Sequence, residues 1–134
     1  MIRRFAASCE GNAAIEFAFC ASVFLMLLLS IAEFGRLTYT YHDMAQAARV
    51  AARYAIVRGA ASGTPATASQ IASVTAAAAS SGITAAEVSV AFSPNNQTGG
   101  QVTVTIAHPF GFLFGFMPAG PFTLTSHVSQ LIVN

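Results

Sequence analysis

The chain has 134 residues, 54% of them hydrophobic and only 8% charged, with a net charge of +1. That length suits one modest domain plus one membrane helix, and six arginines with no lysine, spread thinly, make no basic patch for nucleic acid. Cys9 and Cys20 lie before or within the first apolar run, so the rest of the chain has no thiol for a disulfide or a cysteine metal site.

Residues 1–11 are short, polar to weakly basic, carry Arg3 and Arg4, and close on Gly11; they read as a leader. From Ala13 to Ala32 the only polar side chains are Glu16, Ser22 and Ser30. Those twenty residues make a helix roughly 30 Å long, enough to cross a hydrocarbon core. A discarded secretory signal would have a shorter apolar core and a clean small-residue cleavage site, whereas this run contains Glu16 and ends in Ser30, Ile31, Ala32, Glu33 and Phe34. A lipoprotein signal at Cys9 fails because no apolar region precedes it. A carboxylate inside a membrane helix costs about 2.5–3.5 kcal/mol, which makes Glu16 a functional candidate. About one turn inside the run, it is also placed to snorkel to the headgroups, and both readings stay open.

No proline follows until Pro65, so the helical pattern continues past the apolar run. Phe34, Leu37, Tyr41, Met44, Ala48, Ala51 and Ala55 alternate at spacings of three and four, the stripe of one helix face. The stripe shrinks from large residues to alanine, which permits close approach by a neighbouring helix or by the chain's own sheet. For residues 44–58 the spacing does not choose between them. Gly59 to Gly63 breaks the helix, about 70 Å from its start. Thr64 as N-cap and Pro65 as first helical residue predict a second helix over 65–81, ended by Gly82.

After Gly82 the period becomes two. Val88, Val90 and Phe92 alternate with Ser89 and Ala91; Val102, Val104 and Ile106 alternate with Thr103 and Thr105. Pro94 to Gly100 joins the two runs, a hairpin with a seven-residue loop. A third strand is expected within 122–133. Between strands two and three, residues 108–121 are too broken by Pro and Gly to span a membrane and too apolar for an ordinary loop. They are either a crossover packed on the sheet or a partner-binding patch displaying Phe110, Phe112, Phe114 and Phe116. The fold class is therefore α+β: a long N-terminal helix, then a small C-terminal domain of one helix and a three-stranded antiparallel sheet. The divisions are 1–11 leader, 12–32 transmembrane helix, 33–58 amphipathic extension and 59–134 domain.

Gly11, followed five residues later by Glu16 and then by Phe17 at the head of an apolar helix, resembles the prepilins that a dedicated membrane aspartyl peptidase processes. With Ile31-Ala-Glu-Phe-Gly-Arg-Leu37 and the alanine and arginine run from Ala47 to Ala55 at the right distances, the resemblance is to the TadE-like family, minor pseudopilins of tight-adherence pilus systems. It covers about 45 residues in register. The C-terminal half is generic.

The resemblance implies a pilin-like fold and cleavage after Gly11, making Asn12 the new N-terminus. Glu16, beside Phe17, would neutralise the freed amine of a neighbouring subunit and set the axial register. It implies residues 1–11 in the cytoplasm and 33–134 in the periplasm, an orientation that the near-even count of Arg3 and Arg4 against Arg36 and Arg49 does not supply. Its partners would be the membrane, a prepilin peptidase, other pilins or pseudopilins and an inner-membrane assembly platform. Phe34, Leu37, Tyr41, Met44 and Ala48 are the helix-packing candidates.

Enzyme chemistry is not expected. Glu33, Asp43 and Glu87 with His42, His108 and His127 show no ligand or dyad spacing, and there is no phosphate loop, nucleophile elbow or His-Glu-x-x-His. No cofactor, metal or small-molecule substrate is expected. The leading function is a membrane-anchored minor pilin-like subunit supporting pilus assembly or secretion; the alternative is an unprocessed bitopic inner-membrane binding module.

Overall fold

The computed structural model describes residues 3–113 and 121–133, which form two compact units, Met1–Arg36 and Leu37–Asn134. Helix α1, Arg3–Val57, contributes to both. Helix α2 covers Ala68–Ala78, and the strands are β1 (Val88–Ser93), β2 (Gln101–Phe110) and β3 (Phe122–Leu131). This is the expected α+β arrangement of a long helix, one short helix and an antiparallel three-stranded sheet.

The first unit is the apolar part of α1. Its side chains are exposed all round, from Ile15, Phe17 and Phe19 to Phe24, Leu27 and Ile31. A helix hydrophobic on every side belongs in lipid or in the middle of a larger protein. Among the described residues this is the one helix long and apolar enough to cross a membrane. Its two serines do not interrupt it, because Ser22 Oγ donates to the Phe19 carbonyl (2.8 Å) and Ser30 Oγ to the Met26 carbonyl (2.7 Å). The helix starts at Arg3, upstream of Gly11, within the residues that read as a leader.

In the second unit the strand order is β1-β2-β3, with Val90 opposite Val104 and Val104 opposite Val128. Alternation sends Val102, Val104, Ile106 and Leu124 to one face, where they form a single core with Met44, Ala47, Ala48, Ala51, Ala52 and Ala55 of α1 and Ile71 of α2. The alanines lie where helix meets sheet. Their small side chains let the backbone approach, and the branched strand residues fill the space. Each fully buried Ile or Val is worth about 1.5–3 kcal/mol, so the strand residues supply most of the apolar burial in this shared core. For residues 44–58 the stripe thus covers the unit's own core.

Three expectations change. Helix α2 begins after Thr67, not Thr64: Gln70 N–H donates to Thr67 Oγ1 (3.3 Å) and Thr67 N–H to Gln70 Oε1 (3.0 Å), a reciprocal cap that Thr64 and Pro65 have no partner to match. The helix ends at Ala78, short of Gly82. Residues 108–110 are strand, not connection, and Phe110 faces Phe122 across an antiparallel pair. Strands β2 and β3 are antiparallel neighbours, and most of the segment between them, residues 114–120, lies outside the described residues. The β1–β2 hairpin matches its expected loop, closed at Gly100, where an added Cβ would collide with the Asn95 and Gln97 carbonyl oxygens.

Candidate functional site

The head of the apolar helix holds the expected processing and assembly residues. Gly11 lies in regular helix, and a side chain added there meets nothing within 4 Å. Packing gives no reason for glycine here, and in a helix interior glycine costs about 1 kcal/mol relative to alanine. Glu16 is exposed, as are Asn12 and Phe17, and among the described residues Glu16 has no hydrogen-bond or ion-pair partner.

At the far end of the same unit stands a second carboxylate in a different state. Glu33 is 5% exposed and its Oε2 accepts from Arg36 Nη2 at 2.9 Å and Nε at 3.2 Å. One apolar helix thus carries a paired carboxylate and an unpaired one.

The helix-packing residues divide. Met44 and Ala48 are fully buried and Leu37 is packed against the core, but Tyr41 is exposed and so is Phe34. Thr40 is buried in place of Tyr41. At 3.6 residues per turn Tyr41 lies roughly 60° from the direction of Met44 and Thr40 roughly 40° on the other side. The two positions border the same face, and only the threonine side is buried. Periodicity locates a face to within about one residue and cannot say which border is covered.

Asp43, which has no dyad spacing with its neighbour His42, has a different task. Its Oδ2 accepts from Ser80 N–H (2.8 Å), Ser81 N–H (2.8 Å) and Ser81 Oγ (2.7 Å), tying α1 to the turn that follows α2. Burial pushes this carboxyl up, but the Ser81 hydroxyl with the Ser81 and Ser80 N–H groups outweighs it and the net shift is downward. His42 instead sets its ring edge-on to Tyr41, with centroids 6.2 Å apart. No local motif could have paired residue 43 with residues 80 and 81.

His108 and Glu87 form a second tie, Nδ1 lying 3.0 Å from Oε2. The hydrogen bond with His108 is the main cause that holds the Glu87 carboxyl below its usual range; burial opposes it, and the Thr84 N–H and the charge of His108 add to it. His127 is exposed on β3. Among the described residues no group of three or more His, Cys, Asp or Glu side chains is placed to hold a metal ion. A cavity of about 370 Å³ lined by Ala60, Ala61, Gln97 and Thr98 contains no titratable side chain.

The aromatic patch expected from the sequence is not what this structure builds from its described members. Phe110 is 2% exposed and packs on Phe112 and Phe122, with ring centroids 5.8 and 5.5 Å away. Those rings close the end of the core, because extending β2 to residue 110 turns every second side chain inward. Leu113 is exposed. Phe114 and Phe116 lie outside the described residues.

No similar curated protein and no similar solved structure was found for this chain. Residues 11–53 match the family model described as TadE-like protein. The match begins at Gly11, runs through Glu16, Phe17, Glu33 and Arg36, and ends at Arg53, so it covers the motifs that carried the resemblance except for Tyr54 and Ala55. With the single apolar helix it contains, this segment fits a membrane-anchored protein associated with a tight-adherence pilus. The chain is therefore similar to the TadE-like family over residues 11–53, about a third of its length.

Proposed function

We propose that the protein is a minor pilin-like subunit, anchored by α1 in the inner membrane, that supports assembly or secretion of a tight-adherence pilus and is processed after Gly11 by a prepilin peptidase. The observation that carries this reading is the TadE-like match over 11–53, set on a helix whose apolar part is exposed on all sides. Two features of the head support it. Gly11 has no packing role in the folded chain, and a peptidase that binds extended backbone has use for a residue without a side chain. The α-amino group released at Asn12 and the Glu16 carboxylate of a neighbouring copy are then complementary charges, poorly solvated apart and stable together. Residues 1–11 are the cytoplasmic leader in this scheme, and the sheet domain is periplasmic.

The test is the mass of the protein isolated from cells with and without the peptidase. Loss of residues 1–11 only in the presence of the enzyme is the expected result, and Gly11→Ala should abolish it. A full-length chain in both backgrounds removes the pilin reading and leaves the unprocessed membrane protein. Glu16→Gln should leave insertion and cleavage intact and reduce piliation; unchanged piliation would mean that Glu16 merely reaches the headgroups.

A further inference from the structure

The outward side of α1 in the second unit carries a basic ridge. Tyr39, His42, Gln46, Arg49 and Arg53 are all exposed, and they recur at spacings of three, four, three and four. That is the spacing of a seam that another helix can follow. Arg49 and Arg53 stand one turn apart with no acidic residue three or four positions from either. Among the described residues neither makes an ion pair, hydrogen bond or ring contact. Arg58 differs, since its guanidinium lies 4.1 Å from the centre of the Tyr54 ring.

Like charges one turn apart weaken an isolated helix, so this arrangement does not serve α1 itself. Nor can the same unit of another copy answer it. Asp43 and Glu87 are the only acids after Arg36; the first is taken by Ser80 and Ser81 and the second by His108. We infer that the ridge docks a helix of another protein that presents carboxylates at alternating three- and four-residue spacing. Planar guanidinium forks one turn apart match carboxylates one turn apart, and Val50, exposed beside Arg49, gives the contact an apolar flank.

The experiment uses the full chain in discs of zwitterionic phosphatidylcholine and two labelled synthetic peptides of equal composition. One has glutamates at alternating spacings of three and four on a helix; the other spreads them around the helix. Fluorescence anisotropy should show binding of the first, with affinity roughly tenfold lower for the second and for the R49E/R53E chain, while the near-ultraviolet circular dichroism of the variant is unchanged. Should that variant misfold, R49K/R53K keeps the charge without the fork and is expected to bind more weakly than the parent. Equal binding of both peptides, or undiminished binding by the variants, overturns the proposal. So does a chain that ignores the patterned peptide and uses Arg49 and Arg53 only to associate with phosphatidylglycerol vesicles. Binding is measured on the uncleaved chain, so failure here leaves the pilus reading standing, and failure of processing leaves the ridge standing.

Discussion

Two stretches of α1 solve the problem of apolar surface in opposite ways. Between Ile15 and Ile31 large side chains point in every direction and stay exposed, whereas between Met44 and Ala55 small ones are confined to one face and are fully buried. Among the described residues nothing covers the first stretch, which suits a hydrocarbon medium. The second has a sheet against it, and there the strand residues supply the bulk. The same secondary structure is thus long and apolar enough to cross a membrane in one part and a core element in the other, and side-chain size along the helix records the change.

The sharpest way to break this comparison is to truncate one large residue in each region. Ile106→Ala opens a cavity beneath the alanine face and should destabilise the second unit by about 2–5 kcal/mol, read as loss of hydrogen-exchange protection across β2 in detergent micelles. Leu27→Ala, in the exposed stretch, should leave that protection unchanged. Equal loss from both would mean that the two regions do not stabilise the chain separately.

Next in size is Asp43→Ala, which leaves two backbone N–H groups and the Ser81 hydroxyl without their acceptor. The expected cost is about 1–3 kcal/mol, with earlier exchange at Ser80 and Ser81 than at the strands. Replacing the Thr67 cap with alanine is a smaller change, about 1 kcal/mol, confined to α2 and visible as fraying at its first turn.

The pH response should be smallest and has a definite sign. Asp43 and Glu87 both have their folded values lowered, so each binds protons more weakly folded than unfolded. Their contribution is fully present above the unfolded carboxylate range, about pH 4, and is lost as pH falls through and below it. A thermal melting series should therefore show a decline on acidification that D43A reduces; an identical decline in D43A would remove Asp43 from that account.

Much of this was legible in the chain. The period-two runs at 88–92 and 102–106 marked their strands, and the seven-residue loop between them set the register seen in the structure. The family motifs from Gly11 to Arg53 were readable because they are local spacings of particular residue types. What failed did so for identifiable reasons. Thr64 with Pro65 made a reasonable helix start, but Thr67 with Gln70 satisfies two backbone groups at once. Residues 108–110 read as connection because Pro109 breaks the look of a strand while still fitting into β2.

By itself, then, the sequence determined where the helix is apolar, where it turns to alanine, and where the period changes from helix to strand, because those are properties of neighbours along the chain. Only the tertiary structure decided that Thr40 is covered and Tyr41 is not, that Phe110 closes the core, and that Asp43 holds Ser80 and Ser81. Each of these depends on a contact partner distant in sequence, and which border of a helix face is buried is settled by the surface that arrives to cover it.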